Sequence, residues 1–276
     1  MHGLCDYNAF LPCCQYTGSM ISLLVSSKTM KPTACTLAVE ESQPVFREEA
    51  DALNALLKAK SPLQLRRLMH ISPKIADSTY ELIQNWGESP TAPSWYSFVG
   101  DVYKGLTIEQ FNESDLEFAQ QHMGTLSGLY GFLRPLDQIH PYRLELGNKL
   151  KGKIDGGSFN NLYEFWGDKI TRSLPKNEPI VNISSEEYIK VIQPYVQPDQ
   201  IITPWFMQIK NGVPEFQAVH AKYARGTIAR WICKNRVNDP DRLPDFAEDR
   251  YLFDSKLSAP NKPVFTREFI PVAIQR

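Results

Sequence analysis

The stretch F-A-Q-Q-H-M-G-T-L-S-G-L-Y-G-F-L-R-P-L-D-Q-I-H-P-Y-R-L-E-L-G, Phe118 to Gly147, sets a glycine-bracketed turn between two apolar-patterned segments and follows it with a compact polar cluster. Read as two helices joined at Gly128 and Gly131, Leu126 to Pro135 has the form of a helix-hairpin-helix. In that motif glycine lets backbone N–H groups approach phosphate oxygens, and the second helix adds its positive N-terminal end. Ser127, Gly128, Gly131 and Arg134 are then the phosphate contacts. Two features depart from the pattern. Leu129 and Tyr130 separate the glycines where the usual hairpin has one residue, and Pro135 is tolerable only in a helix's first turn. The alternative is an αα-hairpin that packs Leu129 and Phe132 into the core.

Towards the N-terminus, Val45 to Leu57 and Pro62 to Met69 carry apolar residues at helical spacing, and Ser72 is placed to cap a helix from Pro73 to about Trp86. Ile21 to Val25 is strand-like and runs into an S-S-K-T turn that presents Lys28. No G-x-x-x-x-G-K precedes that lysine, which excludes a Walker-type phosphate loop. Towards the C-terminus come an amphipathic helix from Asn161 to Leu174 and β-like runs at Ile180 to Ile183, Gln200 to Ile209 and Val213 to Ala218. Asn211-Gly212 predicts a type I′ hairpin between the last two. A helix from Ala221 to Asn235 and a strand from Val264 to Phe269 close the chain. This order predicts an α+β fold, one compact mixed domain over residues 20–276.

Two further groups carry chemistry. At 100° steps Ala221, Ala224, Ile228, Trp231 and Ile232 share one arc of their helix, while Lys222, Arg225, Arg230, Lys234 and Arg236 cover the other side. Five cations without an intervening acid match the footprint of phosphate-backbone contact, and equally a solvated face. Asp101, Tyr103, Tyr142, Arg143, Glu145, Glu187 and Tyr188 form the second group. An arginine with carboxylates and tyrosines can hold a nucleobase and move protons, or can build a buried structural network.

Composition bounds the rest. Of 276 residues 42% are hydrophobic, enough for a substantial core. With 30 Lys and Arg against 31 Asp and Glu, attraction to nucleic acid requires a local patch rather than bulk charge. No apolar run reaches the roughly 20 residues of a membrane span. Three of the five cysteines fall within residues 1–19, so no disulfide framework is predicted and a reducing cytoplasm is. That stretch reads as an N-terminal extension. Its His2, Cys5, Cys13 and Cys14 lack a second paired motif, and the remaining histidines are dispersed, so no metal or other cofactor is predicted.

The motifs F-V-G-D-V-Y-K-G-L at Phe98 to Leu106, N-L-Y-E-F-W-G-D at Asn161 to Asp168, S-S-E-E-Y at Ser184 to Tyr188 and A-K-Y-A-R-G at Ala221 to Gly226 stand, with the opening stretch, in the order found in the YaaA family of peroxide-stress proteins. The chain resembles that family from about Met20 to Arg267. The resemblance implies a family-specific fold with a helix-hairpin-helix-like element and a cytoplasmic role under hydrogen peroxide. It further implies limitation of iron-dependent damage and contact with DNA that is not sequence-specific, with Lys28, Lys222 and Arg225 at the site. The alternative is an enzyme acting on a nucleobase, nucleotide or modified base through Lys28, Asp101, Tyr103, Arg143 and Glu187.

Overall fold

Ile21–Val25 (β1) is apolar at four of its five positions and its first four residues are buried, the mark of a strand covered on both faces within a parallel sheet. In the computed structural model, which describes residues 20–271, β1 is the middle strand of five. Met123–Ser127 (β2) lies parallel on one side, with Ser22 opposite Met123 and Val25 opposite Leu126. Gly131–Leu133 (β3) turns back antiparallel outside it. On the other side Ile180–Asn182 (β4) and then Ile201–Ile202 (β5) continue the parallel set. The order is therefore β5-β4-β1-β2-β3. The chain leaves β1 towards one edge and later returns to pair on the opposite edge. In open α/β sheets such a reversal, beyond the carboxyl ends of the central strands, is the usual ligand position.

The segment between β1 and β2 is largely helical: Arg47–Lys58 (α1), Pro62–Met69 (α2) and Pro73–Gln84 (α3) stand where the sequence predicts them, and Asp101–Leu106 (α4) and Glu113–His122 (α5) are added by the structure. Ser61 and Gln64 form a capping box on α2, and the Ser72 hydroxyl accepts from Ile75 N–H at the start of α3. Each cap satisfies donors that a helix start leaves free.

The expected helix-hairpin-helix over Leu126 to Pro135 is instead the β2–β3 hairpin, with Thr125 opposite Leu133 and Ser127 opposite Gly131. Its glycines make room for rings and backbone. A Cβ on Gly124 would sit 2.1 Å from the Phe132 ring, and one on Gly131, where φ is +67°, 2.6 Å from Trp166. The helix expected from Asn161 to Leu174 is also interrupted. Leu162–Trp166 (α6) ends at Gly167, where φ is +48°, and a single turn follows at Lys169–Arg172.

In the last third Trp205–Lys210 (β6) and Val213–Glu215 (β7) form the predicted hairpin, with Asn211 and Gly212 at φ +55° and +78°. Ala218–Lys234 (α7) follows, then Leu252–Phe253 (β8) and Val264–Glu268 (β9), completing a second sheet of order β7-β6-β9-β8. Helix α7 rests on α4 through two glycines: a Cβ on Gly226 would lie 1.8 Å from the Val102 carbonyl oxygen, and one on Gly105 2.1 Å from that of Tyr223. Buried apolar residues from Met20 to Phe265 form one contiguous cluster. No helix among the described residues is long and apolar enough to cross a membrane. The extension at 1–19, with His2, Cys5, Cys13 and Cys14, lies outside the described residues.

Candidate functional site

Strand β1 ends at Val25, and the next residue continues the pairing, Ser26 N–H donating to Leu126 O at 3.0 Å. The chain then lifts off the sheet. Thr29 and Met30 pair antiparallel with Phe98 and Val99, and the Ser27 hydroxyl donates to Val99 O. This turn holds Lys28 over the carboxyl edge with its side chain 67% exposed. Its ammonium meets the Glu145 carboxylate at 2.8 Å, and the Arg143 guanidinium donates to Lys28 O at 3.1 Å.

Three buried tyrosines lie beneath. Tyr103 O–H, from α4, donates to Val25 O at 3.1 Å. Tyr142 shares a 2.7 Å hydrogen bond with the Ser127 hydroxyl at the end of β2. The Ser26 hydroxyl stands near both Tyr142 and Tyr188 and offsets part of the rise in their phenols. Burial, partly offset by bonds to Ser127 and Ser26, pushes the Tyr142 phenol up to about 12. Burial raises Tyr103 as well, and burial together with Glu145 and Glu187 raises Tyr188. All three remain neutral hydroxyls across physiological pH. Phe98 packs between Tyr103 and Tyr142 at centroid distances of 5.1 and 6.4 Å.

Glu187, five residues beyond the end of β4, accepts from Gly147 N–H through Oε1 at 3.1 Å, and its backbone carbonyl accepts from Tyr163 O–H at 3.0 Å. The rim thus carries Lys28, Arg143, Glu145 and Glu187 over a floor of Ser26, Ser127, Tyr142 and Tyr188. Such a rim can fix an anion beside hydrogen-bond donors, on neutral phenols that neither add charge nor admit much water. Behind the rim, Pro141 to Arg143 wall a small recess with Asn54, Trp86 and Leu129.

Four of the five residues expected for a nucleotide enzyme meet here: Lys28, Tyr103, Arg143 and Glu187. Asp101 begins α4 next to Gly100, and its carboxylate is engaged by Lys104 on its own helix at 3.4 Å. The expected phosphate contacts of the hairpin are placed otherwise. Gly128 is buried, and a Cβ there would meet Leu144 O at 2.4 Å. Gly131 carries the Trp166 ring, Ser127 faces Tyr142, and Arg134 holds the fully buried Asp137 at 3.0 Å.

The cationic stripe of α7 is largely engaged. Arg230 donates to Gly105 O and pairs with Glu248 at 2.7 Å, while Lys234 and Arg236 share Asp115. Lys222 is exposed, and neither it nor Arg225 has an ion-pair partner among the described residues. Arg225 is largely covered, and burial lowers its pKa. It sits where α7 crosses α4, and the residue before α4 rests on the Lys28 turn: a Cβ on Gly100 would meet Ser27 Oγ at 3.2 Å.

Sequence reasoning passed over Ser26 and the bridging part of Glu145. The available signal was a serine immediately after a buried parallel strand, where ligands meet such sheets. Among the described residues no three or more His, Cys, Asp or Glu side chains gather as a metal-holding group.

A family model described as peroxide stress protein YaaA matches residues 20–257. A UPF0246 protein of Salinispora tropica is 40% identical over 253 residues, spanning 89% of this chain and 93% of the relative. A UPF0246 protein of Ruegeria pomeroyi is 36% identical over 241 residues, spanning 84% and 93% respectively.

Proposed function

Since the chain belongs to the YaaA family of peroxide stress proteins, we propose that it serves that response in the cytoplasm by holding a phosphate-bearing small molecule of the nucleotide class at the carboxyl edge of its parallel sheet. The observation that carries this reading is the meeting of Lys28 and Arg143, with Glu145 and Glu187 beside them, over buried hydroxyls at the reversal of strand order. Chemistry on a nucleobase or nucleotide would draw on the same residues. Limitation of iron-dependent damage is the cellular outcome assigned to that binding.

Contact with a DNA backbone is the second reading. It is favoured by Lys222, exposed and without an ion-pair partner among the described residues, and opposed by the engagement of Arg230, Lys234 and Arg236. Thermal unfolding with pyrophosphate, beside gel-shift titration of a short duplex at two salt concentrations, separates the two. A ligand at a hundred times its Kd stabilises by about 2.7 kcal/mol, so pyrophosphate is expected to raise the melting midpoint, and Lys28→Ala with Arg143→Ala to abolish the rise. A midpoint indifferent to pyrophosphate, with salt-sensitive duplex binding lost in Lys222→Ala, replaces the first reading by the second.

A further inference from the structure

We propose, resting on the anion reading above, that the ligand is a ribonucleoside phosphate whose ribose 2′ and 3′ hydroxyls donate to Glu145 and Glu187. Each glutamate commits one carboxylate oxygen inside the protein. Glu145 Oε2 lies 2.8 Å from Lys28 Nζ, and Glu187 Oε1 accepts from Gly147 N–H at 3.1 Å. The remaining oxygens, Glu145 Oε1 and Glu187 Oε2, have no hydrogen-bond partner among the described residues.

The two carboxylates belong to one small region. Both act on the Tyr188 hydroxyl, and a Cβ on Gly147, two residues after Glu145, would stand 3.0 Å from the Glu187 carboxyl carbon. A ligand that offered only negative charge would bring an anion against these carboxylates as well as against Lys28 and Arg143, and the like charges would offset the gain. A ligand with its anion at one end and neutral donors at the other meets both halves of the rim. Vicinal ribose hydroxyls are such donors, and a carboxylate accepting from ribose is a recurrent solution at sheet edges of this kind. A DNA strand lacks the 2′ hydroxyl and esterifies its internal 3′ oxygen, so the same carboxylates select against it.

Isothermal titration of the full-length protein with ADP, UDP, their 2′,3′-dideoxy forms and pyrophosphate tests this. ADP and UDP are expected to bind about tenfold or more tighter than the dideoxy forms, the scale of one or two hydrogen bonds to a charged group. Glu187→Ala should bring that ratio towards unity while leaving pyrophosphate binding equal or tighter, and Lys28→Ala should weaken all five ligands. Equal affinity for ribose and dideoxy forms in the wild type overturns the diol contact and leaves the anion site standing. A ratio unchanged in both Glu187→Ala and Glu145→Ala overturns it too. Failure of all five to bind removes the anion reading itself, and this inference with it.

Discussion

At the residue scale, polar side chains in this protein divide by whether their partners lie within the chain. His140 is 5% exposed, and its surroundings fix its protonation state. Ser89 O, 2.8 Å from Nδ1, requires a proton there, which leaves Nε2 to accept from the Arg47 guanidinium at 3.2 Å. A second proton would face that guanidinium. Burial first, and then the charge of Arg47, lower the imidazole pKa from 6.5, against the Ser89 bond and Asp51. The folded state therefore favours neutral His140. That stabilisation is complete above the unfolded value near 6.5 and is lost as pH falls from there towards the lower folded value. Melting midpoints of the wild type are expected to drop as pH falls below about 6.5, and those of His140→Gln to drop less. An identical slope in the two proteins would sink the assignment. Arg225 is the opposite case. A largely covered guanidinium without an ion-pair partner among the described residues is costly, and its motif A-K-Y-A-R-G was visible in the sequence while its burial was not.

At the element scale, glycine decides where helices and strands can meet. Gly105 and Gly226 let α4 and α7 touch backbone to backbone, and through α4 the first half of α7 lies beside the Lys28 turn. Ordinary helix propensity would make Gly226→Ala stabilising by about 0.5–1 kcal/mol. The 1.8 Å approach to Val102 O reverses the sign, because backbone atoms cannot yield as a side chain can. Gly226→Ala is expected to destabilise by about 1–3 kcal/mol or more in urea titration, and to weaken binding at the Lys28 turn. A stabilised variant would show that the crossing has room to spare. Helix periodicity, with the serine caps before Pro62 and Pro73, located α1, α2, α3 and α7 to within a few residues. The same reasoning failed at Met123–Ser127, because five residues with only Met123 and Leu126 apolar and Gly124 among them show no period that separates a buried strand from a helix.

At the scale of the whole molecule, the parallel sheet joins strands from residues near 21, 123, 180 and 201, and one buried apolar cluster takes in residues of both sheets, Leu23 and Phe265 among them. Neither half holds that sheet by itself. Phe246 shows the continuity: its ring packs on Trp231 of α7 at 5.7 Å and on Phe206 and Phe265 of the second sheet at 6.0 and 5.4 Å. Unfolding in urea is expected to be a single transition with coincident midpoints by far-ultraviolet circular dichroism and tryptophan fluorescence. Two resolved midpoints would show that the sheets unfold independently.

Amphipathic spacing, serine caps before proline and the Asn-Gly turn determined the helical segment, the β6–β7 hairpin and α7 directly from the sequence, because each is a local preference that tertiary packing reinforces. The candidate residues Lys28, Arg143 and Glu187 were also visible, as types and positions. What joins them was not: they stand 115 and 44 residues apart in sequence, and only the return of the chain to the far edge of β1 brings them to one rim. The duties of Gly128 and Gly131 were likewise settled by tertiary structure. A glycine signals the lack of a side chain, and only the folded neighbours, here the Leu144 carbonyl and the Trp166 ring, specify what fills the space.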